Sequence, residues 1–258
     1  LANAFSTHRS CLRRGEEPPP SRPRIALTVI PLFHVTACNA SLMSTMMTGS
    51  KLVMMRKWDA VEAMALIERE KVTVTGGVPT IAWQLIEHPD RPKYDLSSLE
   101  SVAYGGAPAA PELVRLIDDM HVSPSSGWGM TETSATVTTH AGEDYVHRPD
   151  SCGPALPVSD IRIMALDGAH EMPVGEVGEL WAFGPQVVKG YWRNPEATAA
   201  TFFDGWVRTG DLARVDAEGF CYIVDRAKDI VIRGGENIYC IEVENCLYAH
   251  PAVTDAAL

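Results

Sequence analysis

The sequence has no C-x-x-C pair, no cysteine–histidine cluster at zinc spacing, no long apolar run and no surplus of basic charge. Each absence removes a class of function. The six cysteines, at 11, 38, 152, 221, 240 and 246, are scattered. Without paired spacing they indicate neither a zinc module nor a disulfide framework, and they read as reduced, buried thiols of a cytoplasmic protein. No apolar stretch reaches the roughly 18 residues of a membrane span, and the N-terminus lacks the charged-then-apolar order of a signal peptide. Only a peripheral membrane contact stays open. The 22 Lys and Arg against 33 Asp and Glu leave a formal charge of −11. Nucleic-acid binding needs a basic face, so that balance argues against it. ATP is still admissible, because backbone N–H groups, a metal and a few local donors can hold it.

What is present suits a packed core: 46% of the 258 residues are hydrophobic and 21% charged. The chain opens on Leu1 and closes inside the apolar run VTDAAL, so both ends read as cuts in a longer protein.

The first half alternates strand and helix patterns. Ile25–Phe33 reads as a buried strand, Thr36–Met47 as a buried helix apolar all round, and Lys51–Met55 as a second strand. Ala60–Glu70 carries one apolar helical face. Val72–Thr75 then leads into a Gly76–Gly77 turn and a helix to Ile86, and Leu99–Tyr104 into a Gly105–Gly106 turn and a helix over Pro111–Met120. Repeated strand–turn–helix units predict parallel strands with crossover helices. Beyond Gly153 the texture changes to short strands, IRIM, GELWAF, GWVRTGDLARV and GFCYIVD, with a hairpin at Asp216–Gly219. The fold class expected is α/β, with a parallel-sheet core over residues 1–152 and a β-rich subdomain over 153–227. The proline-bearing stretch Arg13–Arg24 reads as a surface loop.

Three motifs fall at strand ends, the first of them where parallel sheets bind ligands. Gly105–Gly106–Ala107–Pro108 follows a strand, where glycines let a ring or phosphate approach, or where an ordinary turn needs them. In Gly127–Trp128–Gly129–Met130–Thr131–Glu132 the aromatic suits purine stacking, the hydroxyl a phosphate and the carboxylate Mg²⁺. Thr131 and Glu132 equally suit the first turn of a helix. Thr209–Gly210–Asp211 offers a carboxylate where the strand WVR meets a turn, either a ribose contact or a turn aspartate. His34 ends the first strand, in PLFHV, as a catalytic or simply a core or edge histidine.

Taken together and in order, PLFHV, YGGAP, GWGMTET, VGEVGEL, KGYWRNPEAT, GWVRTGD and GFCYIVDRAKDIVIRGGENIY resemble the adenylate-forming superfamily: acyl- and aryl-CoA synthetases, luciferases and peptide-synthetase adenylation domains. The resemblance runs along the whole chain. It implies an acid–thiol ligase that uses ATP, Mg²⁺ and CoA. It places Gly105, Gly106 and Ala107 at the adenine, Trp128 stacked upon it, Thr131 on the phosphate and Glu132 on Mg²⁺. Asp211 would take the ribose hydroxyls with Arg226 nearby, and Gly129, Ile223, Gly234 and Gly235 would complete the nucleotide contacts. Lys228 stands at the hinge, so 228–258 would begin a small, mobile α+β C-terminal domain. His34 would sit where carboxylate, AMP and thiol meet.

Two parts of the family pattern have no counterpart here: an upstream Ser/Thr/Gly-rich phosphate loop with its lysine, and a catalytic lysine near the C-terminus. The 258 residues alone are therefore expected to be inactive. Phe33–Ser50 offers no carboxylate to pair an amino-acid ammonium, while Met43, Met46 and Met47 lie beyond His34. A lipophilic, fatty acid is favoured. The methionines can also be plain helix packing. An aryl or branched acid, with Trp83 and Tyr104 as ring contacts, or a non-catalytic acyl-AMP- or partner-binding protein, are the alternatives.

Overall fold

The computed structural model describes all residues except 1–8, 19–21, 106–110, 230, 234–235, 249, 251–252, 254–255 and 257–258. Five parallel strands run Ile25–Thr28 (β1), Lys51–Met54 (β2), Val74–Gly77 (β3), Ser101–Gly105 (β4) and Ser123–Met130 (β5), and Ala135–Ala141 (β6) closes the sheet antiparallel to β5. Their order is β2-β1-β3-β4-β5-β6. The chain therefore reverses its direction of winding between β1 and β3, and the crevice outside the carboxyl ends at such a switch is the usual ligand site of an open α/β sheet.

The helices form where the sequence pattern asks for them. Ala60–Glu70 begins because the Asp59 carboxylate accepts the Glu62 N–H at 2.8 Å, and it ends where Lys71 turns left-handed at φ 52°. Between those limits Ala63, Met64, Leu66 and Ile67 face inward. They join Leu27, Val72, Leu85, Val102, Leu113 and Ile117 in one core beneath the sheet. Each fully buried Leu, Ile or Met contributes about 1.5–3 kcal/mol.

Several elements differ from the sequence pattern. β1 stops at Thr28, because Pro31 has no N–H to give a ladder and its carbonyl instead accepts the His34 N–H at 2.9 Å. Gly76–Gly77 and Gly127–Met130 lie inside β3 and β5, and not in turns after them. Their glycines serve close strand approach: a Cβ on Gly76 would strike the Ala103 carbonyl, and one on Gly129 the Ala135 carbonyl. The stretch 36–47 is no buried rod. Thr36–Met43 winds as a π-helix, continues as the α-helix Ser44–Thr48, and buries only Ala37 and Thr45. Residues 9–14 are helical, so the loop expected from Arg13 starts later.

Residues 151–258 form a second unit. It contains an antiparallel sheet in the order β7-β12-β11-β9-β8, with strands Gly153–Pro154 (β7), Asp160–Met164 (β8), Gly178–Phe183 (β9), Trp206–Val215 (β11) and Phe220–Arg226 (β12). Phe202–Phe203 (β10) pairs with β11 at one side. The expected hairpin closes at Asp216, whose carboxylate accepts the Glu218 and Phe220 N–H groups at 2.9 Å each. The short pair Val231–Arg233 (β13) and Glu236–Ile238 (β14) precedes the helix Cys240–Tyr248. All six thiols are free; Cys11, Cys152, Cys221 and Cys240 are buried as expected, whereas Cys38 is half-buried and Cys246 exposed. No helix among the described residues is long and apolar enough to cross a membrane.

Candidate active site

In residues 1–150 the sequence-predicted groups gather at the carboxyl ends of the parallel strands. Gly105 ends β4 and is paired with Gly127 on β5. The Thr131–Thr133 turn follows β5 directly, as a single 3₁₀ turn. Trp128 is half-buried on β5, and its N–H reaches the Thr138 hydroxyl of β6 at 3.3 Å. Thr131 is exposed and Glu132 half-buried, so hydroxyl and carboxylate stand side by side at the rim of the sheet.

That turn is held from beneath by Thr133, a residue the sequence reading passed over. Its side chain is fully buried; the hydroxyl accepts the Met130 N–H at 3.0 Å and donates to the Ala135 carbonyl at 2.8 Å. Ser134 and Ala135 then take φ values of 51° and 101°, costly for residues with a Cβ and sustained only by fixed surroundings. Asn39, on the π-helix, donates its amide to the Ser134 carbonyl at 3.2 Å, bringing the segment after His34 to the same turn. π-helical turns recur at functional sites, which makes this one a signal a sequence does not display.

His34 is exposed at the mouth of that helix, beyond β1 and not within it, with Phe33 beside it at a ring separation of 5.6 Å. Phe33 is 87% and Met46 68% exposed, and Met43 and Met47 are exposed too, so these methionines are not core packing. Tyr104, weighed above as a ring contact for an aryl acid, is instead committed to the core against Tyr145 at 5.8 Å. Burial pushes its hydroxyl far above the usual tyrosine range.

In residues 151–258 Asp211 does not occupy a turn. It lies within the continuous strand β11, 7% exposed, opposite Arg226 on β12. The Arg226 Nε is 3.2 Å from its carboxylate while the guanidinium stays largely in solvent. Ile223 stands on β12 paired with Ala213. Asp225, next to Arg226, is buried; it accepts the Arg226 N–H at 2.7 Å and the Cys240 N–H at 2.5 Å, tying β12 to the start of the last helix. Lys228 is exposed in the turn just after β12. Gly106, Ala107, Gly234 and Gly235 lie outside the described residues.

Glu179 was also missed. It is 6% exposed and accepts from Arg208 (3.1 and 2.8 Å) and from the Trp181 indole at 3.0 Å. A carboxylate inside the apolar strand GELWAF was its one visible signal.

Among the described residues no cluster of three or more His, Cys, Asp or Glu is able to cage a metal. Mg²⁺ does not require one, since it takes one or two carboxylates and completes its octahedron with water and substrate phosphates. A single carboxylate next in sequence to a hydroxyl, as at Glu132 and Thr131, fits that coordination.

Residues 1–192 match the family model described as AMP-binding enzyme. The chain belongs to that family. A feruloyl-CoA synthase from an Amycolatopsis species is 38% identical over 233 residues, covering 90% of this chain and 47% of that protein. The medium/long-chain-fatty-acid–CoA ligase FadD8 of Mycobacterium tuberculosis is 40% identical over 245 residues, covering 93% and 42%. The o-succinylbenzoate CoA synthetase of Bacillus subtilis, solved with its acyl-adenylate intermediate, superposes at a TM-score of 0.84 with 33% identity, over 100% of this chain and 51% of that one. The chain thus spans about half the length of the relatives it matches, and its mixed α/β architecture with a separate antiparallel sheet is that of the adenylate-forming enzymes.

Proposed function

We propose that this chain is the central part of an acid–thiol ligase that joins a lipophilic carboxylic acid to CoA at the expense of ATP. The observation that carries the reading is the Thr131–Glu132 pair, an exposed hydroxyl and a half-buried carboxylate on a rigid turn at the carboxyl edge of the sheet, joined through Asn39 to the segment that follows His34. In the first step an oxygen of the substrate carboxylate attacks the α-phosphorus of ATP; the new P–O bond forms as pyrophosphate leaves, giving acyl-AMP. In the second, the thiolate of CoA attacks the acyl carbon and AMP departs. Neither step needs a nucleophile from the protein. Both need the reactants held in line and the phosphate charge neutralised. Thr131 donates to a phosphate oxygen, Glu132 offers its carboxylate to Mg²⁺, Trp128 and the Gly105–Ala107 stretch receive the adenine, and Asp211 with Arg226 takes the ribose. Lys228 serves as the hinge for the residues that follow, with 1–152 and 153–227 as the two parts of the nucleotide-binding domain.

A fatty acid is the preferred substrate, because the segment that follows His34 exposes Met43, Met46 and Met47, Phe33 lies beside the histidine, and the stretch Phe33–Ser50 contains no carboxylate to pair an ammonium group. Aryl acids are the second reading, favoured by the feruloyl-CoA synthase among the relatives. The test uses the protein expressed from its complete reading frame, with ATP, Mg²⁺, CoA and a panel of alkyl, aryl and amino acids. Acid-dependent pyrophosphate release, strongest with medium or long alkyl chains, is expected. Release with aryl acids alone selects the second reading; release with no acid refutes the ligase. The 258 residues by themselves are expected to release none.

A further inference from the structure

The ladder between β9 and β11 is interrupted beside Asp211, and side chains bridge the gap. Arg208 pairs with Trp181 and Leu212 with Glu179, so Thr209, Gly210 and Asp211 together face Leu180. An interrupted ladder leaves main-chain groups that require other partners. Here four of them find one. The Thr209 hydroxyl donates to the Leu180 carbonyl at 2.7 Å and accepts the Asp211 N–H at 3.0 Å. The Gly210 N–H reaches Glu179 Oε1 at 3.3 Å, and the Gly210 carbonyl accepts the Ala227 N–H at 2.8 Å. Gly210 adopts φ +72° with nothing within 4 Å of a would-be Cβ, so the left-handed conformation, and not space, demands glycine.

Glu179 is itself immobilised. Its Oε2 receives Arg208 and the Trp181 indole, which leaves Oε1 directed at the bulge. A buried carboxylate is a costly way to stabilise a strand, and an apolar side chain would pack as well. Glu179 and Thr209 do something an apolar pair does not: they take over the hydrogen bonds of the two residues at and immediately before Asp211.

We infer that Glu179 and Thr209 are positioning residues for nucleoside recognition. They set the bulge so that the Asp211 carboxylate, braced by Arg226, presents its oxygens to the vicinal hydroxyls of a ribose. This rests on the reading of Asp211 as the ribose contact. Neither residue touches the nucleotide; each acts through the backbone of 209–211.

The test is ribose discrimination, which a merely stabilising role does not move. The dissociation constants of AMP and 2′,3′-dideoxyadenosine monophosphate are compared by ligand-observed NMR titration on wild type and on Asp211→Asn, Glu179→Ala, Thr209→Val and Thr209→Ser. Wild type is expected to prefer AMP by about tenfold, the worth of one or two net hydrogen bonds. Asp211→Asn, Glu179→Ala and Thr209→Val bring the ratio toward one, and Thr209→Ser restores it. If Glu179→Ala does not fold, Thr209→Val, which leaves the ion pair intact, decides alone. A ratio lost in Asp211→Asn but kept in Thr209→Val and Glu179→Ala overturns the positioning role and leaves the ribose reading standing. A ratio unchanged in Asp211→Asn overturns the ribose reading itself, and the positioning role with it.

Discussion

At Thr131–Ala135 an uncharged hydroxyl, that of Thr133, closes a tight turn from within, and two non-glycine residues accept positive φ around it. At Arg208–Asp211 the same task, presenting a polar side chain at a fixed place, falls to a buried carboxylate with three donors, and a glycine takes the left-handed position. The first arrangement is local and spans six residues, Met130 to Ala135. The second reaches from β9 to β11 and depends on charge. A turn at the end of a strand has few main-chain groups to satisfy, so one hydroxyl suffices; a break inside a sheet exposes more of them and needs a multivalent acceptor. The two should therefore fail differently.

The largest separation is expected in chemistry. On the proposed role of Glu132 in holding Mg²⁺, Glu132→Gln should lower pyrophosphate release by the complete enzyme by about 100-fold or more. A smaller loss would mean that Glu132 only rims the turn. Next comes stability of the sheet. Glu179→Ala strands Arg208, and since that side chain is 38% exposed the cost is discounted to about 2–3 kcal/mol, read by urea unfolding. Added salt should barely change wild type there, because one partner is buried. Thr133→Val, which leaves the Met130 N–H without its acceptor, is expected to cost about 1–2 kcal/mol, and Thr133→Ser should recover most of it. Equal losses in Val and Ser variants would show that the methyl group, and not the hydroxyl, holds the turn.

The smallest effect concerns the thiols. The hydrogen bond from Cys152 and burial push the Cys221 thiol well above its ordinary value of 9.0. The folded protein then keeps this proton where the unfolded chain releases it. Its contribution to stability is complete below about pH 9 and declines as pH rises beyond that value. With a thiol reagent at pH 8, Cys246 should react within the mixing time, and Cys152 and Cys221 only on unfolding. Early reaction at Cys221 would show that the β7–β12 edge opens easily.

Much of the fold was legible in the residues. The spacing of Met64 and Ile67 defines the helix Ala60–Glu70, and Asp216–Gly219 defines the hairpin, because amphipathic faces and turns are chosen by chemistry within a few residues. The glycines misled for the opposite reason: Gly76 and Gly129 look like turn residues along the chain, and only the neighbouring strand reveals why no Cβ fits. The site was half legible. Trp128, Thr131, Glu132 and Asp211 stand out by residue type, whereas Thr133 looks like any other threonine until its buried hydroxyl is seen, and Glu179 acts through hydrogen bonds that reach from β9 to β11. The π-helix after His34 has no distinguishing composition either.

The break in the β9–β11 pairing has a length as well as a shape. Between Arg208 and Leu212 β11 advances by four residues while β9 advances by two, from Trp181 to Glu179. The excess is even. Side chains on a strand alternate sides, so an even excess leaves the parity of everything downstream untouched, and an odd one would invert it. Losing a single residue from Thr209–Asp211 would turn the inward-facing Leu212 outward and carry its neighbours the wrong way round as far as Val215.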